Sequence, residues 1–69
     1  MDDKNPLSKL KKDALEQNEP VVIKTIIDTL AAFGRDGIEP IDEILNHSNS
    51  ESVKLHGINV IRRIKTLNP

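Results

Sequence analysis

The run Val53-Lys54-Leu55-His56-Gly57-Ile58-Asn59-Val60-Ile61-Arg62-Arg63-Ile64 echoes an earlier one, Val22-Ile23-Lys24-Thr25-Ile26-Ile27-Asp28-Thr29-Leu30-Ala31-Ala32-Phe33. Shifting the numbering by 31 carries Val22, Leu30 and Phe33 onto Val53, Ile61 and Ile64. The same shift carries Leu7, Leu10 and Ala14 onto Ile38, Ile41 and Leu45. A period of about 20–50 residues marks a solenoid, whose stacked units share one continuous apolar seam. The echo therefore implies an architecture, and with it a class of work: holding partners.

Around these two runs the punctuation predicts four helices. The first starts near Pro6, whose fixed φ suits a first helical turn, with Asn5 as its cap; its stripe is Leu7, Leu10, Ala14 and Leu15. Pro20 opens a second helix that runs to Phe33, with Val22, Ile26, Leu30 and Phe33 on one side and Ile23, Ile27 and Ala31 beside them. Gly34-Arg35-Asp36-Gly37 is a turn in which Gly34 is placed for a left-handed residue, and Asp36 with Glu39 has the spacing of a capping box. A short third helix follows from Ile38 to about Asn46, and His47-Ser48-Asn49-Ser50 breaks it. The fourth helix, from about Glu51 to Leu67, turns Val53, Gly57, Val60, Ile61 and Ile64 inward and ends at Asn68 and Pro69. No segment alternates with the period of two that marks a half-buried strand, so the class is all-α. Short turns within each pair make two antiparallel helical hairpins, stacked in one domain spanning residues 1–69, with repeat one about 6–34 and repeat two about 37–67.

Val53 to Ile64 resembles the second helix of a HEAT repeat, which begins Val-Arg and carries small residues four and seven positions beyond the Val, where this chain has Gly57 and Val60. Val22 to Gly34 fits the same frame, and Ile38-Glu39-Pro40-Ile41 is similar to the proline-containing start of the family's first helix. The resemblance covers residues 7 to 66. The chain departs from the pattern in its turns, which carry Asn18 and Asn49 rather than Asp, and at the Arg positions, which hold Ile23 and Lys54. HEAT-like resemblance implies a protein-interaction module, an accessory subunit or adaptor. Within the same resemblance, HEAT-like lyases that attach or remove phycobiliprotein chromophores supply a more distant analogy.

Differences between the copies point to capping. The side stripe Ile23, Ile27 and Ala31 of the second helix becomes Lys54, Ile58 and Arg62 in the fourth, and Ile44 answers to Asp13. Terminal units of a solenoid carry a polar outer face. The stack is therefore expected to stop at two repeats, with the side stripe of the second helix buried under the fourth.

Composition excludes several classes of function. The 69 residues include no cysteine, so neither disulfides nor thiolate metal sites are available, and Phe33 is the only aromatic residue. Stacking platforms for single-stranded nucleic acid are thus missing. Formal net charge is −1, so no whole-molecule field draws the chain to nucleic acid or an anionic membrane. No apolar run approaches the roughly 20 residues needed to span a bilayer, and Met1 to Asn5 lead into no signal-peptide core. A cytoplasmic location is expected.

No constellation for catalysis, metal or cofactor binding stands out. His47 and His56 have no ligand-spaced partner, His47-Ser48 lacks an acid, and Gly34-Arg35-Asp36-Gly37 lacks the Lys-Ser/Thr of a phosphate loop. The acidic residues Asp36, Glu39, Asp42 and Glu43 complement the dipole of the third helix. One patch has the composition of a partner-binding surface: Lys54, Leu55, Ile58, Arg62 and Lys65, an apolar spot ringed by cations that suits an acidic amphipathic helix, a subunit edge or a second copy. The plainer reading is that these long side chains merely solubilise the last helix. Lys24, Asp28, His56, Asn59 and Arg63 are further candidates on the concave face, and Lys9, Lys11, Lys12, Lys54, Arg62, Arg63 and Lys65 would serve a nucleic-acid-binding alternative.

Overall fold

Pro6 and Pro20, each lacking an N–H that a first helical turn leaves unbonded anyway, stand at the starts of the first two helices. The computed structural model describes residues 6–67. The helices are α1 (Pro6–Glu16), α2 (Pro20–Ala31), α3 (Ile38–His47) and α4 (Glu51–Leu67), with a 3₁₀ turn, Gly34–Gly37, leading into α3. No strand occurs among the described residues, and the fold is all-α. The expected roles of Asn5, Asn68 and Pro69 lie outside the described residues.

Three-residue connections, 17–19 and 48–50, join α1 to α2 and α3 to α4. The two hairpins then stack: α1 packs on α3, α2 packs on α4, and α2 also reaches α3. Helix α4 is capped by Ser50, whose Oγ accepts from the Val53 N–H at 3.3 Å while its carbonyl accepts from the Lys54 N–H at 3.0 Å. The Ser50 N–H in turn donates to Ser48 Oγ at 3.1 Å.

Gly34 follows α2 with φ at +70°, the left-handed conformation expected of it. The Asp36–Glu39 capping box does not form. Gly37 occupies the cap position of α3 with no side-chain cap bond. The 3₁₀ turn runs straight into the helix, and the Ile38 N–H is already bonded to the Arg35 carbonyl, so no free-standing first turn is left for Asp36 to cap.

The core consists of Ala14 from α1; Ile23, Ile27 and Leu30 from α2; Ile41, Ile44 and Leu45 from α3; and Val53, Val60 and Ile64 from α4. Leu7, Leu10, Ile38 and Ile61 of the expected seam are partly buried against this core, but Val22 and Phe33 lie outside it, 38% and 42% exposed. Leu15 likewise points out. The cause lies in how α2 and α4 face each other. The first helices keep the 31-residue shift, with Ala14 and Leu45 both buried. In the second helices Ile23, Ile27 and Leu30 answer to Val53, Gly57 and Val60, a shift of 30. One residue is a turn of about 100° on a helix. Each of these helices buries the side on which it has a neighbour, so Val22 and Phe33 end on a flank that no described residue covers. The expectation that Ile23 and Ile27 lie buried while Lys54 stays exposed holds.

Two glycines permit the close approaches. A Cβ on Gly37 would overlap the Leu30 backbone carbonyl, and one on Gly57 would overlap the Leu45 side chain. The first obstacle is rigid and the second can rotate. Gly37→Ala is expected to cost about 1–3 kcal/mol by overpacking, and Gly34→Ala about 1–2 kcal/mol through its left-handed backbone. Ile27→Ala should cost about 2–5 kcal/mol. Urea midpoints of the purified variants measure all three.

Candidate functional site

Helix α4 buries Val53, Gly57, Val60 and Ile64, which recur at the spacing of one helical face. The spacing four, four and three of Lys54, Ile58, Arg62 and Lys65 sets those residues away from that face. The structure leaves all of them exposed, together with Leu55. Leu55 is 64% exposed and Ile58 45% exposed. All five residues of the expected patch therefore share the solvent side of one helix. The counterparts of Lys54 and Ile58 under the 31-residue shift are Ile23 and Ile27, which α2 buries against the second hairpin. The patch thus lies on the side of α4 away from the rest of the described chain.

The concave-face candidates behave differently. Two of them, Asp28 and His56, are brought together: His56 is half-buried, and its Nε2 lies 2.7 Å from Asp28 Oδ1 of α2. The pair joins the two hairpins at their rim. Its signal in the sequence is indirect, since Asp28 stands about one turn beyond Thr25, the counterpart of His56 under the repeat shift. A second link, Lys11 to Glu43, joins α1 to α3. The hydrogen bond from Lys11, and then its charge, hold the Glu43 carboxyl below the usual carboxylate range, with a small contribution from His47.

Between the two hairpin turns lies an open cleft of about 440 Å³ with Ala14, Ile23 and Ile44 at its base and Gln17, Asn18, His47 and Ser48 among its polar lining. His47 is the last residue of α3 rather than part of the turn, and its Nδ1 lies 3.0 Å from the Glu43 carbonyl oxygen. A carbonyl only accepts, so the proton sits on Nδ1. The Ser48 and Ser50 hydroxyl oxygens accept backbone N–H groups as caps. This is the chemistry of a helix terminus. Among the described residues no three His, Cys, Asp or Glu side chains are grouped to hold a metal ion. No described helix is long and apolar enough to cross a membrane.

No family model, curated protein or solved structure matches the chain. What the protein does is read from its own surfaces, and the α4 patch is the one where apolar and charged side chains converge.

The Lys11–Glu43 link has a defined pH dependence. A carboxyl whose pKa is lowered on folding adds stability above its unfolded value and loses that contribution as pH falls through the folded one. Glu43→Gln is therefore expected to melt below the native protein at neutral pH. The two should converge as the pH drops beneath the ordinary carboxylate range, as thermal melts across a pH series will read.

Proposed function

We propose that the chain is a small two-repeat, HEAT-like protein-interaction module, an accessory subunit or adaptor of the cytoplasm, that docks a partner on Lys54, Leu55, Ile58, Arg62 and Lys65. The observation that carries this reading is the exposure of Ile58 and Leu55 on the face whose counterpart in α2 is a buried repeat-to-repeat contact. A helix face of that kind already works as an interface once in this molecule. On α4 it is bordered by three cations, so the complementary partner is a helix with an aliphatic stripe flanked by Asp or Glu. The apolar centre supplies burial, while the charged rim supplies orientation and encounter rate.

Binding of nucleic acid is the weaker reading. A continuous basic stripe is the electrostatic footprint it needs. Here Lys9 and Lys12 lie on α1, diagonal in the stack from α4, and Lys11 is engaged with Glu43. That reading also requires a steep fall of affinity with salt, because each phosphate contact releases counterions.

Affinity purification from the native cell tests the proposal. Companions held by the native protein should survive moderate salt and nuclease treatment. They should fall by at least about tenfold with Ile58→Asp combined with Arg62→Glu, as expected when a central anchor and a charge are reversed. Recovery of the same companions by the doubly changed protein sinks the reading.

A further inference from the structure

The flank of α2 turned away from α4 carries Val22, Thr25 and Thr29, and the turn after it adds Ala32 and Phe33, all exposed and none charged. The hydroxyls of Thr25 and Thr29 donate to the carbonyls of Val21 and Thr25, each at 3.0 Å. Covering this flank therefore strands no side-chain donor. Under the 31-residue shift Val22, Thr29 and Phe33 answer to Val53, Val60 and Ile64, the residues that α4 buries. The flank has the pattern of a covered repeat edge, and nothing in the described chain covers it.

We propose that a second copy of this chain covers it, through the same flank, in a head-to-head dimer with two-fold symmetry. The proposal concerns a different surface from the α4 patch and stands apart from the function assigned to that patch. Charge selects the geometry. Head-to-tail stacking would set Lys54, Arg62 and Lys65 of one copy over the uncharged flank of the next, removing cations from water with no anion opposite. An open filament of repeating copies is thereby disfavoured, and the flank is complementary to itself.

Helix α1, beside α2 at the same end, agrees. Along its outer side the cations Lys9 and Lys12 precede the anions Asp13 and Glu16. A two-fold axis across this end sets α1 antiparallel to its copy. The cationic half of each then lies over the anionic half of the other, with Lys9 nearest the second copy's Glu16. The area is modest. Two helices about 10 Å apart, each roughly 18 Å long, offer about 400 Å² per copy, below a standard interface and within the range of weak, transient contacts. The dimer is accordingly weak and reversible.

Sedimentation velocity of the full chain across a micromolar-to-millimolar concentration series tests this. The native protein should pass from monomer to dimer and no further. Val22→Lys and, separately, Thr29→Lys should remain monomeric at the highest concentration with unchanged helical circular dichroism, while Ile58→Asp should dimerise as the native chain does. Lys9→Glu and Glu16→Lys should each weaken self-association about tenfold, and an equimolar mixture of the two should restore it as a heterodimer. A native chain that stays monomeric throughout overturns the proposal. So does growth into larger species, association that survives Val22→Lys in folded protein, or association abolished by Ile58→Asp.

Discussion

Helix α2 packs against each of the other three helices, and its stripe Ile23, Ile27 and Leu30 is what the stack is built around. Ile27 and Leu30 are fully removed from solvent. They can be so only because α1, α3 and α4 converge on them from different directions. A helix that must serve three neighbours cannot centre its apolar face on any one of them. Val22 and Phe33 fall outside the stripe those neighbours share, and both stay exposed. Gly37 belongs to the same constraint, because the 3₁₀ turn crosses directly over the Leu30 carbonyl with no room for a side chain.

The polar links do a different job. Lys11–Glu43 ties α1 to α3, and Asp28–His56 ties α2 to α4, so each layer of the stack has one link across the hairpin boundary. Exposed pairs of this sort contribute about 0–1 kcal/mol each, too little to drive folding. The two links therefore orient the rim of one hairpin on the other, on a register that the close packing at Gly37 and Gly57 already fixes.

The four helices, their hairpin pairing and the burial of Ile23 and Ile27 under α4 were legible in the sequence, because prolines, Gly34 and the repeat shift all act locally or through helical spacing, although α2 stops at Ala31 rather than Phe33. Polar replacement of the side stripe at Lys54 and Arg62 was legible for the same reason. The shift itself misled in one place. It aligns chain positions, whereas burial depends on which flank has a neighbour, and that is a property of the assembled stack. Val22 and Phe33 were read as seam for this reason. Asp36 was read as a cap from its spacing to Glu39, but spacing does not reveal that a 3₁₀ turn has already engaged the first amides of α3. The Asp28–His56 pair joins residues 28 positions apart in sequence and becomes visible only when α2 and α4 are set side by side. Ser50 as the cap of α4 was available from residue type and position alone, within the polar run that precedes the helix.

The two ends of the stack differ in chemistry, and the difference bears on how the molecule meets others. At the α4 end, apolar residues are isolated among cations, so a partner gains by matching charge as well as shape. At the α2 end, the flank has no charge of its own, and the nearest charges, on α1, are arranged so that reversal of direction brings opposite signs together. A surface of the first kind discriminates among partners, because a wrong one leaves Lys54, Arg62 or Lys65 desolvated without an anion. A surface of the second kind rejects little by itself and gains its selectivity from the neighbouring row on α1. On the proposed reading, an apolar flank like the one Ile23 and Ile27 provide on α2 is replaced at this end by Lys54 and Arg62, which would favour a partner that brings its own acidic residues.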